Sequence, residues 1–511
     1  MARVRYRFGG RLRVWPHFGT VFGVFALGAF AALGQAPIDA WYVTILAFSL
    51  IFFILTFAEN SLAAGLLGFG AGLGYFAASL NWIVLPFFVD APSDGWMAPF
   101  ALFFMAGGLA CFWALASWLG FLVMQRADGG ILSRRGFILA LVIGLTGAEY
   151  LRGVVFTGFP WASIGHVWIN TPLSQVAALA GPNGLTLLLL AMAALPVGFG
   201  WRGFGFSVLL LGVIAVFGLY RLSQDEPITE NALTVRLVQP NAKQSAKWAP
   251  EFANIYLERQ LAFSAARPLP DVIIWPETAV PYSLQDPIIV ERMAQAAQGR
   301  PLLFGFHRYA DARVWNSLGL ITANGDFEPV YDKFHLVPFG EYIPFGDQLY
   351  DWFGLTGLAA TDGQTYSAGP GPKVVDLEGF GSFLPLICYE AVFTQSIQNA
   401  ATRPNWLLQV TNDAWFGNFS GPAQHLAQAR LRAIEQGLPM VRVANTGFSA
   451  IIDPKGRITA QILLNQAAYK DGTLAQALAP TPYALWGGEI FFALIGFLIF
   501  ILIFVRLSVR T

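Results

Sequence analysis

Phe383-Leu-Pro-Leu-Ile-Cys388-Tyr-Glu390 is the stretch of this chain best suited to covalent chemistry. An apolar run of strand length ends on a cysteine, and two polar residues follow at once. A strand that stops there fixes the backbone, and the turn after it exposes the side chain. A thiol is a weak nucleophile until it loses its proton, so a base must stand near it in space. Glu277 qualifies by position. Asp271-Val-Ile-Ile-Trp275 reads as a strand, and Pro276-Glu277 follows its end directly. Proline stops the ladder and leaves the glutamate at the strand's carboxyl edge, where chemistry gathers in layered α/β domains. Lys333 lies between a short extended stretch and a proline-bearing loop, and Glu341 follows in Lys333-Phe-His-Leu-Val-Pro-Phe-Gly-Glu341-Tyr. Taken singly, Cys388 reads as a small buried hydrophobe, and Lys333 and Glu341 as solvated charges. Glu277, Lys333 and Cys388, each at a strand end or in an adjoining loop, carry weight as a set.

The elements around them alternate between strands and helices. Leu233–Gln239 is a first strand by its alternation and branched residues. A helix over about 250–266, the 271–275 strand and a helix near 286–298 follow. Leu302–Phe306 and Asn316–Thr322 are further strands, and Asn324-Gly325-Asp326 is a hairpin-like turn. After Cys388, Trp406–Thr411 is a strand, Asn412–Gly417 its loop, and 422–436 an amphipathic helix carrying Arg430, Arg432 and Glu435. Met440–Asn445 and Ser449–Asp453 pair around Thr446-Gly447. From Val337 to Gly369 the chain is rich in Phe, Tyr and Trp and has no Lys or Arg, which suggests an aromatic lid or an arm dipping into a bilayer.

The rest of the chain is far more apolar. Of 511 residues, 55% are hydrophobic and 12% charged, about half the usual charged share. That excess exceeds one soluble core and implies a membrane protein. Formal net charge is zero, so nothing global favours nucleic acid. The two cysteines, Cys111 and Cys388, are no disulfide framework, and the five scattered histidines show no metal spacing. Runs long enough to cross a bilayer, which takes about 20 residues, lie near 18–34, 38–57, 61–84, 97–124, 136–156, 172–199, 204–221 and 485–506. Gly181-Pro182-Asn183-Gly184 interrupts the sixth. The first, although preceded by arginines, has no convincing small-residue cleavage site and is followed by more spans, so it reads as a retained helix. Arg3, Arg5, Arg7, Arg11 and Arg13 set the amino terminus in the cytoplasm, with Arg126, Arg134, Arg135, Arg202, Arg506 and Arg510 on the same side. Residues 222–484 then form one outer domain between a membrane domain, 1–221, and a final span with its tail, 485–511. In the third span Gly65, Gly68, Gly70, Gly72 and Gly74 suit close helix packing. Glu149 and Arg152 share a helix face near the outer end of the fifth, just before Thr157-Gly-Phe-Pro-Trp161. Charges at that depth are paired or functional, so Glu149, Arg152 and Trp161 are either a structural group or part of a lipid headgroup site.

The order Glu277, Lys333, Cys388 resembles the nitrilase (carbon–nitrogen hydrolase) superfamily. With flanking spans and the segments Thr157–Trp161, Trp275-Pro-Glu277, Lys333–Tyr342 and Cys388-Tyr-Glu390, nearly the whole chain resembles the apolipoprotein N-acyltransferase family. That resemblance implies an α-β-β-α sandwich on a bundle of about eight membrane helices in a bacterial inner membrane, the sandwich periplasmic. It implies Glu277 as general base, Lys333 as stabiliser of the tetrahedral oxyanion and Cys388 as nucleophile. Glu341 would orient Lys333 or Glu277, the Tyr389 backbone would donate to the oxyanion, and Trp248, Asn316, Tyr389 and Glu390 match positions near the substrate. The implied reaction is ping-pong transfer of an acyl chain from a phospholipid, phosphatidylethanolamine, through a Cys388 thioester to the amino-terminal diacylglyceryl-cysteine of an apolipoprotein. It needs no cofactor, no metal and no obligate partner chain, so a monomer is expected.

Two other readings compete. A membrane-anchored amidase or nitrilase acting on a small amide would use the same three residues, but one anchor would suffice for it. A transporter or receptor would use the outer domain only to bind, and would have no use for the Glu-Lys-Cys set.

Overall fold

The computed structural model describes residues 16–124, 131–225, 233–311, 313–344 and 365–508. The arginines at 3, 5, 7, 11, 13, 126 and 510, and most of the aromatic 337–369 segment, lie outside the described residues.

Apolar sequence becomes helix where expected, with shifted bounds. The first half holds α1 (Phe18–Ala31), α2 (Trp41–Leu55), α3 (Ser61–Ser79), α4 (Ala98–Met124), α5 (Ile131–Arg152) and α6 (Ala177–Ser223). Among the described residues, four helical stretches are long and apolar enough to cross a membrane: Ser61–Ser79, Ala91–Met124, Pro172–Ser223 and Glu489–Ser508. The eight runs read from sequence differ from these four for identifiable reasons. Helices α1 and α2 span only 14 and 15 residues. Helix α5 carries Arg134, Arg135, Glu149 and Arg152. The sixth and seventh runs form one helical stretch, α6, broken at Gly181 (φ 65°) and Gly200 (φ 61°), where glycine tolerates positive φ. The third span packs as its glycines suggest: a Cβ on Gly74 would lie 1.9 Å from the carbonyl oxygen of Phe25 on α1.

The second half is a sandwich of two six-stranded sheets. The first contains β1 (Thr234–Gln239), β2 (Val272–Ile274), β3 (Leu302–Ala310), β4 (Arg313–Ile321) and β5 (Phe327–Asp332), with β12 (Ala468–Thr473) beside β1. The second runs β11 (Ile458–Ile462), β10 (Ser449–Ile452), β9 (Met440–Ala444), β8 (Trp406–Thr411), β7 (Gly381–Ile387), β6 (Val375–Leu377). Val235, Leu237, Ile274, Leu303 and Leu318 meet Ile387, Leu408, Val410, Val441 and Val443 between the sheets. Helices α7 (Pro250–Ala265) and α8 (Pro287–Ala297) cover the outer face of the first sheet through Leu257, Leu261 and Met293. Helix α9 (Ser420–Gln436) covers the second through Leu426, Ala429 and Ala433. The layers are therefore α-β-β-α. Strands β6, β11 and β12 are additions to those read from sequence.

Helix α9 corrects one expectation. An amphipathic helix should keep a solvated face, but nearly every residue of α9 is buried. Its far side carries Ala427, Leu431 and Ile434 into the same apolar cluster as the helical bundle. Its charged pair is satisfied within the protein: Arg432 Nη2 donates to Glu435 at 2.5 Å and Nη1 to the Val392 carbonyl at 2.7 Å. The chain ends in α10 (Glu489–Ser508), which presents Phe497, Phe500, Ile503 and Phe504 outward. An apolar surface of that size suits lipid.

Candidate active site

Strand β7 is parallel to β8, and both run to the same sheet edge. There the chain leaves β7 through Cys388, whose φ of 53° is left-handed and uncommon for a residue with a side chain. Glu390 secures that turn. Its Oε2 accepts from the Ile387 backbone at 2.7 Å, and its Oε1 accepts from Tyr331 Oη at 2.8 Å and from the Phe334 and His335 backbones at 2.8 and 3.1 Å. One wholly buried carboxylate thus ties the cysteine turn to the loop that carries Lys333. Burial lifts its carboxyl to about 7, even against those donors.

Glu277 comes from the other sheet. After β2 the chain turns through Thr278, also left-handed at φ 45°, and docks on β3. That docking requires Gly305. A Cβ there would lie 2.4 Å from Thr278 N and 2.6 Å from Glu277 Cα. Asn316 on β4 donates from Nδ2 to Glu277 Oε1 at 2.7 Å and to Glu341 Oε1 at 3.4 Å. Both partners are carboxylates, so the amide orientation is fixed, and Asn316 Oδ1 is left buried without a hydrogen-bond partner. Lys333 follows β5, its backbone N donating to Asn316 O at 2.9 Å. Its Nζ lies 2.8 Å from Glu341 Oε1 and 3.9 Å from Glu277 Oε1. Glu341 is itself held by the Val337 backbone at 2.8 Å.

The electrostatics follow from enclosure. Burial disfavours the Lys333 ammonium, but Glu341, Glu277 and Cys388 outweigh it and raise its pKa, so Lys333 stays charged. Burial also raises the Glu277 carboxyl. Lys333 opposes this only partly, since Glu341 holds the short contact and Glu277 the longer one. Burial, with Glu277 adding to it, pushes the Cys388 thiol up, against Lys333 and a hydrogen bond with Thr411. The resting set is a neutral thiol, a fixed cation and a carboxylate of raised proton affinity. Such a set can take a proton from a thiol and stabilise a developing oxyanion.

The structure brings together Glu277, Asn316, Lys333, Glu341, Cys388 and Glu390. Tyr389 sits beside them and turns outward from the sandwich, its Oη donating to the Gly158 carbonyl at 3.1 Å. Trp248 is 42% exposed and stacks on His307 with centroids 5.2 Å apart. Glu149 and Arg152 are not open to a ligand: both side chains have 0% exposure. Arg152 forks onto Glu149 at 2.9 and 2.6 Å and holds the Phe159 and Trp161 carbonyls at 2.6 and 2.9 Å. The pair therefore shapes the 157–161 loop. Trp161 packs against His425 of α9, centroids 5.1 Å apart.

Sequence reasoning missed two groups. Lys247, in the loop before α7, is buried and donates from Nζ to the Glu277 carbonyl at 3.2 Å and to Thr278 Oγ1 at 2.5 Å. Burial lowers its ammonium to about 8. Nothing local distinguishes it from a surface lysine. Gln409, Asp413, His425 and Arg442 form a buried polar set beneath Cys388. Strand alternation carried a signal here, since Gln409 lies between Leu408 and Val410 and must face the opposite side.

Comparison with known proteins covers both halves. Residues 27–195 match the family described as apolipoprotein N-acyltransferase N-terminal domain, and residues 234–474 match carbon-nitrogen hydrolase. The chain is 35% identical to an apolipoprotein N-acyltransferase of Sinorhizobium fredii, with 95% of each chain covered. It is 36% identical to that of Rhodopseudomonas palustris, with 97% of each covered. Among solved structures, a CN-hydrolase superfamily protein of Xanthomonas campestris aligns over 48% of this chain and 91% of its own, at 21% identity and a TM-score of 0.36.

Proposed function

The chain belongs to the apolipoprotein N-acyltransferase family and is an acyltransferase, and from that premise we propose that it moves an acyl chain from a phospholipid to the amino terminus of a diacylglyceryl apolipoprotein through a Cys388 thioester. The observation that carries this reading is the meeting of Lys333, Glu277 and the left-handed Cys388 turn in one buried site, reached from strand ends of both sheets.

In the first half-reaction Glu277 takes the Cys388 proton as the sulfur attacks the ester carbonyl of the donor, phosphatidylethanolamine. The oxyanion faces the Lys333 ammonium and the Tyr389 backbone N–H. As the tetrahedral adduct collapses, the C–O bond breaks and Glu277 returns the proton to the lysophospholipid oxygen, leaving the thioester. In the second, the neutral α-amine attacks the thioester, Glu277 takes a proton from it, and the sulfur leaves and is reprotonated. Asn316 Oδ1, buried and unpaired, is a ready acceptor for an amine N–H. Glu341 and Glu390 hold Lys333 and the nucleophile turn, and Lys247 holds the Glu277 turn. Trp248, partly exposed against His307, is assigned to substrate contact, and the 337–369 aromatic segment to excluding water from the thioester. Glu149, Arg152 and Trp161 shape the loop behind the turn.

The same reading assigns 1–221 and 485–511 to an eight-span membrane domain and 222–484 to a periplasmic catalytic domain in the bacterial inner membrane, working as a monomer with both termini cytoplasmic. The shorter apolar helices α1 and α2, helix α5 and the break at Gly200, added to the four long stretches, fit that count. The test is intact mass after exposure to phosphatidylethanolamine vesicles. A gain of one acyl chain is expected, removable by hydroxylamine, absent in Cys388→Ala and matched by lysophospholipid. No adduct and no lysophospholipid from folded protein would exclude this donor.

A further inference from the structure

The acyl transfer proposed above makes no use of the polar set beneath Cys388, although Gln409, Thr411, Asp413, His425 and Arg442 all have 0% exposure. Gln409 Nε2 donates to the Cys388 carbonyl at 3.0 Å and lies 2.9 Å from His425 Nε2, which is itself 3.2 Å from that carbonyl. Gln409 Oε1 accepts from Arg442 Nη1 at 2.5 Å. Arg442 Nη2 also reaches Asp413 Oδ2 at 2.5 Å, and its Nε donates to the Phe448 carbonyl at 3.1 Å. Asp413 Oδ1 accepts from Thr411 Oγ1 at 3.0 Å and faces His425 Nδ1 at 2.9 Å.

The hydrogens in this set are determined by chemistry. Burial works against the Asp413 carboxylate, but Arg442 and then His425 outweigh it, and it remains ionised. It can only accept, so His425 carries its proton on Nδ1. Burial, with Arg442 beside it, keeps the ring neutral. Its Nε2 is then an acceptor. Gln409 spends one N–H on that nitrogen and the other on Cys388 O, while its oxygen faces Arg442. A flipped amide would set oxygen against two acceptors and NH2 against a guanidinium. The amide therefore has one orientation.

We propose that Gln409, locked by Arg442, Asp413 and His425, is a positioning residue that clamps the carbonyl of Cys388 and holds the nucleophile in its left-handed turn. Left-handed backbone at a non-glycine residue persists only where surroundings over-determine it. Glu390 grips the turn through the Ile387 backbone on one side, and Gln409 grips the Cys388 carbonyl on the other. The proposal rests on Cys388 being the nucleophile.

The experiment uses the full chain with Cys111→Ser, so that Cys388 is the one remaining thiol. Iodoacetamide alkylation is followed by intact mass, beside thermal unfolding and acyl-enzyme formation from phosphatidylethanolamine vesicles. Gln409→Met keeps the volume without donor or acceptor. It is expected to slow alkylation by about tenfold or more and to lower kcat for acylation with KM held within about twofold. A folded variant alkylated and acylated at parental rates overturns the proposal, as does a lowered unfolding temperature with unchanged rates, the mark of a merely structural role. Should Gln409→Met fail to fold, His425→Asn decides. It retains an N–H for Asp413 but removes the acceptor that orients Gln409, so alkylation should slow by about threefold or more. An unchanged rate there also overturns it. If the parent is alkylated but gains no acyl chain, the donor reading fails, while the alkylation rates still decide on Gln409.

Discussion

Enclosure governs the candidate reactive groups more than any single partner does. Burial raises the Glu277 carboxyl above the ordinary glutamate value of about 4.3, so it stays protonated, and unable to accept the thiol proton, to a higher pH than a surface glutamate. Acyl-enzyme formation should therefore be lost as pH falls, with a midpoint above that value, and a pH–rate profile of the first half-reaction reads it directly. Glu277→Gln should slow that step by about 10²–10⁴ at every pH and abolish the acidic limb. Glu390 offers a test through stability. Its four donors want an acceptor on both oxygens, and a glutamine must turn an NH2 toward at least one of them. Glu390→Gln should cost about 1–3 kcal/mol in denaturant unfolding. The folded value near 7 lies above the unfolded one. This group's stabilisation is therefore full below pH ~4.3 and lost as pH rises through about 7. The variant should lack that slope.

Among elements, the turn after β2 depends on a missing side chain one strand away. Gly305→Ala puts a methyl into the backbone of Pro276–Thr278, so β3 must move or Glu277 must leave its place. We expect a loss of about 1–3 kcal/mol, with acylation reduced further than stability alone explains, since small misplacement of a base is costly. Unfolding and acylation measured on one preparation separate the two effects. The strands that carry Glu277 and Cys388 were legible because each is an apolar run with an abrupt polar end. Strand β12 was not: Ala-Tyr-Lys-Asp-Gly-Thr, half exposed, has no apolar face to read. Periodicity gave α9 its length and a polar side, but whether that side meets water or a second layer of protein is a tertiary matter. For the same reason Lys247 looked ordinary and His425 unremarkable. Glycine spacing in the third span did report a real contact, because close helix approach is a local demand for a small residue.

At the scale of the molecule, the two halves are joined through α9. Gln424 Oε1 accepts from Trp82 Nε1 at 3.2 Å and Trp161 Nε1 at 2.8 Å, and its Nε2 donates to Ser79 O at 3.0 Å. Tyr389, Val392 and Phe393, just past Cys388, belong to the apolar cluster of the helical bundle. A fragment of residues 234–481 should therefore expose that cluster and associate on size exclusion, whereas the full chain in detergent stays dispersed. Gln424→Leu in the full chain, leaving two indole N–H groups unpaired, should cost about 1–3 kcal/mol and loosen the 157–161 loop against α9, seen as faster amide exchange there.

The shared cluster also orders events in time. Helices α1 to α6 are synthesised before any strand of the sandwich, so the floor on which Tyr389 and α9 rest is laid first. A chain whose helices are unassembled lacks the apolar cluster that Tyr389, Val392, Phe393 and α9 join, so the turn after β7 has nothing to rest on from that side until the helices are in place.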